Sequence, residues 1–532
     1  MDNAYDVLVV GAGMAGLTAA AYLAKAGYHT LVCERTLQPG GLVSDFRHKG
    51  FHFDAGLRAV ENSGVIRPML RDLGIDVEFV LNPVSIRIGN HMVRLNKDGL
   101  SDYGAMLAAI FPDQEKEIQN ILHSIQKVMD IMNVLYGIDN PLFLDIKSNP
   151  RYLMHTLLPW LMRYLVNIRK MKRYEEPIEP FLAGFTGSQA LIDMIAQHFF
   201  RNTPSFFALS YFGLYMDYMY PKGGTGTLSL AMADYVKAHG GEICFETAVT
   251  GLQPAHRTAI LMDGHSVQYQ KLIWAADAKA LYQAVGSAMG ADARYQAQAK
   301  AVAKGHGGDS VLSVFFAFDL EAGLFQKAFG AHCFFTPSNA GLNSLGLDGW
   351  KTLTDEPNEP DRQQLLEDWV CRYLALTTYE ISCPVIRDKT LAPANQTGLI
   401  VSTLFSVELV REIKQSGWYL RFKELCVKRI LLQLETYVPE LGKHLLESMC
   451  SSPLTIERIT GNADGAITGW SFGDRIPAES RFQKIAKSVR TPIPHVYQAG
   501  QWAFSPSGLP VSVITGKLAA DAAIKAMVRE KT

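Results

Sequence analysis

The sequence predicts an α/β protein. Three separated stretches form a dinucleotide-type layer, and the chain between them forms an inserted α+β domain. Three observations predict this. Residues 6–35, DVLVVGAGMAGLTAAAYLAKAGYHTLVCER, read as an apolar strand, a glycine turn, a small-residue helix and a second strand ending in an acid. Helix–strand alternation returns at 220–252, YPKGGTGTLSLAMADYVKAHGGEICFETAVTGL, and strand, glycine turn and helix recur at 495–527, HVYQAGQWAFSPSGLPVSVITGKLAADAAIKAM. The expected boundaries are 1–90, 221–290 and 460–532 for the first domain, and 91–220 and 291–459 for the second.

The first unit carries the clearest chemistry. A strand through Val10 leads to Gly11, Gly13 and Gly16, a G-x-G-x-x-G turn opening a helix from Met14 to about Ala26. The first glycine permits the tight turn, the second admits a pyrophosphate to the backbone, and the third brings helix close to strand. Met14 and Ala15 stand at the helix N-terminus, where free N–H groups and the positive dipole end favour phosphate. Glu34 ends the strand Thr30–Glu34, placed for a ribose diol, with Arg35 beside it. This is a Rossmann-type turn for an adenine dinucleotide, and the acid at 34 disfavours a 2′-phosphate.

The next segments favour a flavin over a nicotinamide. In PGGLV, Gly40 and Gly41 make a second backbone nest for phosphate or ribityl oxygens, followed by Leu42 and Val43. GFHFDAG, residues 50–56, gives a short strand and a turn that brings Gly56, Leu57 and Arg58 beside a flat ligand. Ala275 follows the strand in KLIWAADAKAL. At the end, Gly500 and Gln501 precede a turn, and a helix begins at Leu509, Pro510 and Val511. Its N-terminus suits the flavin edge that gains negative charge on reduction.

Together, GAGMAGLTAA, PGG, GFHFDAG, the glycine-rich stretch from Tyr220, LIWAADAKAL, PLTIERITGNADGAITGW and AGQW…GLPVSVITGKLAADAA resemble the flavin-dependent amine oxidase superfamily. The likeness is to its branch of phytoene desaturases, carotenoid isomerases and retinol saturases, and it spans residues 6–522. It implies non-covalent, extended FAD, with Glu34 on the ribose and Val249 over the adenine. Gly500 and Gln501 would lie at the pyrophosphate or ribityl, and the GLPVS helix start would face the ring. It also implies action on carbon–carbon bonds of a polyene or isoprenoid. Where many of these proteins carry Arg after GG, this chain has Leu42. Where desaturases usually carry Pro after FDAG, it has Leu57. The apolar Leu42 points away from amine oxidation and toward reduced-flavin saturation or cis–trans isomerisation, with desaturation as the rival.

Residues 61–220 read as mostly helical. Phe206, Phe207, Tyr211, Phe212, Tyr215, Tyr218 and Tyr220 precede the second glycine turn as a wall for an apolar substrate or as plain core. Tyr220 and Pro221, nearest that turn, are the cavity-lining candidates. Residues 150–175 are apolar, with Trp160 and the cations Arg169, Lys170, Lys172 and Arg173. They read either as a helix in a membrane interface or as one packed on the substrate domain, kinked at Pro159. The candidate catalytic side chains are Arg58, for stabilising negative charge, and Tyr220. His52 reads as packing, Asp54 as a turn cap and Cys33 as core. No metal-ligating pattern is present.

Composition bounds the rest. Lys plus Arg is 51 and Asp plus Glu 52, so nothing draws the chain to nucleic acid. Seven scattered cysteines without a C-x-x-C pair argue against a disulfide framework. No signal peptide and no spanning helix are visible. The expected setting is the cytoplasm, either free or peripheral on the inner face of the cytoplasmic membrane. Without an evident NAD(P)H domain, electrons would come from another protein, a quinone or a free reductant.

Overall fold

The computed structural model describes residues 4–95, 99–145, 150–353, 359–473 and 475–531. Two seven-stranded sheets organise them. The first has the strand order Val249–Gln253, Thr258–Leu261, Ser266–Trp274, Ala4–Val10, Thr30–Cys33 and Glu242–Cys244, with Val496–Gln498 also pairing on Ser266–Trp274. Its central pairs are parallel. At its centre, Ala4–Val10 and Thr30–Cys33 are largely buried and read as near-continuous apolar runs, as parallel strands covered by helices do. The start, middle and end of the chain thus meet in one layer.

The helix Met14–Lys25 is buried along nearly its whole length because two other helices cover it. One is Gly226–Ala238, the other Leu509–Lys531. The second crossing is intimate: a Cβ on Gly516 would fall 2.3 Å from the Ala15 carbonyl oxygen.

The second sheet has the order Leu445–Ser451, Ser310–Phe318, Thr397–Phe405, Tyr379–Ser382, His332–Thr336, Val84–Ile88 and His91–Arg94. All its pairs are antiparallel except His332–Thr336 with Val84–Ile88. The latter strand lies before the boundary expected at residue 90, yet belongs to this sheet because its register is set by His332–Thr336. One apolar core of this domain joins Val84, Ile86 and Ile88 to the helices Glu115–Tyr136, Gln189–Ala196 and Ser205–Leu214. A larger one packs Phe316, Phe318 and Ile400 beneath Glu359–Leu376 and Tyr419–Glu435. Small hairpins join the layers: Asp45–His48 with Phe51–Asp54, and Phe79–Leu81 with Met219–Pro221.

Candidate functional site

Between the two layers lies a cavity of approximately 740 Å³, within the size range of cofactor and ligand pockets. Its narrow end is built by the glycine turn. Gly11 takes φ +98° and its N–H donates to the Cys33 carbonyl at 2.8 Å. A Cβ on Gly16 would fall 1.9 Å from the Gly11 carbonyl oxygen. Gly16 therefore sets the approach of helix to strand and does not itself line the cavity. Gly13 does line it, and a Cβ there would meet nothing within 4 Å. The space it leaves is the cavity itself. The helix behind it has no side-chain cap and no acid in its first turn, so its N–H groups are free for an anion.

Gly40, at φ +116°, donates its N–H to the Ala12 carbonyl at 2.8 Å and laces the second loop onto the first. Gly41, Leu42 and Val43 continue along the wall. The buried Glu34 carboxylate accepts from the Ala12 N–H at 2.7 Å and from the Thr36 N–H and hydroxyl at 2.9 and 2.8 Å. It is fixed at the cavity edge beside Arg35 and Val249. Gly500, at φ +91°, is anchored by its N–H to the Thr515 hydroxyl at 2.9 Å and presents Gln501 to the cavity.

Met14, Ala15, Gly56, Leu57, Arg58, Ala275 and Leu509 also line the cavity, as expected. Pro510 and Val511 do not. Leu509 and Ser512, one helical turn apart, face inward, which turns the two residues between them into the core. Sequence reasoning missed Trp274, Asp277, Trp502 and Ser507, which carry no pattern of their own.

Tyr220 needs the larger correction. Its strand pairs with Phe79–Leu81, and its side chain is fully buried away from the cavity. The hydroxyl donates to the Asp54 carboxylate at 2.9 Å, and the Arg387 guanidinium covers the ring at 3.9 Å. Pro221 is likewise outside the cavity lining. Asp54 also accepts from the N–H and hydroxyl of Thr225, so it ties down the second glycine turn and not its own. His52 sits 2.8 Å from the Asp45 carboxylate.

The wide end is lined by the second domain. Phe207, Tyr211, Tyr215 and Tyr218 project from one face at spacings of four, four and three, joined by Phe199 and Phe334. Their rings meet edge-on or tilted at 5.0–5.6 Å along the row, a favourable arrangement for rigid aromatic packing. Phe206 and Phe212, on the opposite face, are core.

Charge is concentrated where the two ends meet. Arg58 is buried. It donates to the carbonyls of Asp54 and Gly56 at 2.6 and 2.7 Å, and to the Ser402 hydroxyl at 3.2 Å. Burial lowers its guanidinium from the ordinary value, while Glu380 and Asp54 oppose that fall.

Glu380 and Glu61, neither singled out in the sequence, line the same space. Burial works to raise the Glu380 carboxyl, but the hydrogen bond from His332 at 2.9 Å and the charges of Arg58 and Arg387 hold it below its usual range. Asn82 accepts from Arg387 through its oxygen at 2.9 Å, which leaves its NH₂ to donate to His332 Nδ1 at 3.1 Å. The remaining Nε2–H then points at Glu380. Glu61 has no such partner among the described residues, and burial pushes its carboxyl up to about 7. Two carboxyls in one cavity are thus driven apart in acidity, the pattern that separates an acid from a base.

Residues 14–366 match the profile of the flavin containing amine oxidoreductases. The chain belongs to this family. A chloroplastic prolycopene isomerase of Arabidopsis thaliana is 24% identical over 278 residues, 49% of this chain and 46% of that protein, so the match spans under half the relative's length. An all-trans-retinol 13,14-reductase of Danio rerio is 22% identical over 538 residues, 93% of this chain and 82% of that one. Among solved structures, an oxidoreductase from Methanosarcina mazei shares the fold at TM-score 0.60 and 14% identity, covering 98% of this chain and 99% of that one. This flavin oxidoreductase takes FAD as its cofactor, and the cavity fits it. The uncapped helix and Gly13 would accommodate the pyrophosphate, Glu34 the ribose, and Gly500, Gln501 and Leu509 the far end. FAD supplies hydride transfer when bound; the chain supplies orientation, exclusion of water and charge. No helix among the described residues is long and apolar enough to cross a membrane.

Proposed function

We propose that this flavin oxidoreductase acts on carbon–carbon double bonds of a hydrophobic polyene or isoprenoid, by saturation or by cis–trans isomerisation. The row Phe207, Tyr211, Tyr215 and Tyr218, continuing the cofactor cavity, carries the reading. Flat, rigid walls favour an extended unsaturated chain, whose burial contributes about 25 cal/mol per Å². Leu42 in the wall and the names of the relatives support the same reading. Glu61, holding its proton near neutrality, is suited to donate one to carbon as a double bond is reduced. A second reading, desaturation, draws on Glu380, whose ionised carboxylate is suited to accept a proton.

The helix Leu158–Met171 supports a substrate drawn from a membrane surface. Met162, Val166, Leu165, Leu158 and Leu161 are exposed on it, at 69, 56, 49, 44 and 41%. Arg169, Lys170, Lys172 and Arg173 follow, suited to anionic lipid. Trp160 instead turns inward and donates to the Val134 carbonyl at 2.6 Å. Pro159 lies in the helix's first turn, after a π-helical turn at Leu153–Leu157. Ile168 and Met171 pack inward with Phe206 and Phe207, so the helix is seated beside the aromatic wall.

The test is anaerobic. The FAD-loaded protein is reduced, mixed with polyenes and retinoids, and followed by absorbance and product mass. Return of the oxidised spectrum with a product two hydrogens heavier supports saturation. Geometric isomers at constant mass support isomerisation. Turnover only by the oxidised protein, giving a product two hydrogens lighter, establishes desaturation instead. Turnover of amines and of no polyene would overturn the proposal.

A further inference from the structure

A second concavity, of approximately 1220 Å³, lies between the helix Ala293–Lys304 and the segment 475–492. Its walls carry Arg294, Lys300, Lys304, Arg475, Lys487 and Arg490, all exposed and without an ion pair among the described residues. Glu479 is the one acidic lining residue among those described, and Arg481 neutralises it at 2.9 Å. A chain with a formal charge of −1 therefore gathers six uncompensated cations around one hollow.

A second observation points to a ligand. Ser488 lines the cleft and is 4% exposed, and its buried hydroxyl has no hydrogen-bond partner among the described residues. A buried hydroxyl left unpaired is costly, and an oxyanion satisfies it while neutralising the cations around it.

We propose that this cleft is a binding site for a small anion carrying two or more phosphoryl groups, separate from the cofactor cavity. A hollow suits a free molecule that enters it, and six guanidinium and ammonium heads exceed what a single phosphate needs. The site also has a built-in reporter. Gly305 lines the cleft, and a Cβ there would fall 2.6 Å from the Trp470 ring. Trp470 donates its indole N–H to the Trp502 carbonyl at 2.9 Å, and Trp502 lines the cofactor cavity.

The test titrates the FAD-loaded protein, whose own pyrophosphate site is filled, with inorganic pyrophosphate. Calorimetry and tryptophan fluorescence follow binding, with sulfate as the control. Saturable binding is expected, at least about tenfold tighter than sulfate and weakening with salt. Lys300→Glu with Lys487→Glu should weaken it at least about tenfold. Ser488→Ala should weaken it several-fold, and FAD content should stay unchanged in both. Absence of saturable binding, parity with sulfate, or unchanged affinity in the charge-reversed protein would overturn the proposal.

Discussion

Replacing Glu61 by Gln keeps the shape of the side chain and removes its ionisation. In the folded protein burial raises this carboxyl from 4.5 to about 7, a difference worth about 3 kcal/mol. Below pH 4.5 the folded and unfolded chains both hold the proton, and stability is unaffected. Between 4.5 and about 7 the unfolded chain loses it while the folded chain keeps it, so stability falls as pH rises. Above about 7 both have lost it and the penalty is constant. Glu61→Gln should therefore be more stable than the parent by less than about 1 kcal/mol at pH 5 and by about 3 kcal/mol at pH 8. Urea unfolding of both proteins at the two pH values measures this. A gain that is the same at both would refute the half-buried environment, without a partner among the described residues, ascribed to Glu61. The same proton bears on the reaction. If Glu61 donates it to carbon, the rate of polyene reduction falls as pH rises through about 7, and Glu61→Gln abolishes that limb. A limb that survives in the variant removes Glu61 from proton transfer.

Other outcomes follow from the geometry. Gly13→Val would fill the space left for the pyrophosphate, so the purified protein should be colourless; a yellow, FAD-loaded variant would refute the assignment of the turn. Tyr220→Phe removes a buried hydrogen bond to the Asp54 carboxylate and should cost about 1–3 kcal/mol of stability in thermal unfolding. Its kcat should match the parent's, and a large loss would restore Tyr220 to the chemistry. Met162→Glu with Val166→Glu should abolish co-sedimentation with anionic vesicles yet leave turnover of detergent-dissolved substrate intact. Vesicle binding that persists would locate any membrane contact elsewhere.

The parts of the site that were legible in the sequence are those set by local backbone demands. Gly11, Gly16, Gly40 and Gly500 sit where a positive φ or a close approach excludes other residues, and such positions mark themselves; Gly13 is marked only by its place in the turn, where it leaves space for a ligand. The aromatic wall was half legible. Seven rings stood out, but only the set at 207, 211, 215 and 218 shares the inward face, and the direction of that face is fixed by packing of the whole domain. Tyr220 misled because its position beside the glycine turn says nothing of its strand partner, which lies about 140 residues earlier at Val80. Glu61 and Glu380 had no local signature. Glu380 enters the cavity because Tyr379–Ser382 pairs with His332–Thr336, and its meaning depends on His332, Asn82 and Arg387 arriving from three other segments.

The dependence of the cofactor cavity on three distant stretches has a consequence in time. During synthesis the glycine turn leaves the ribosome first, but it lacks the cover of Gly516 against Ala15 and the wall formed by Gly500 and Gln501 until residues 499–516 emerge. A nascent chain of 490 residues would carry the recognisable fingerprint without the finished cavity. FAD capture is thus tied to completion of the helix Leu509–Lys531, and a protein truncated before it would be colourless however well its glycine-turn unit folded.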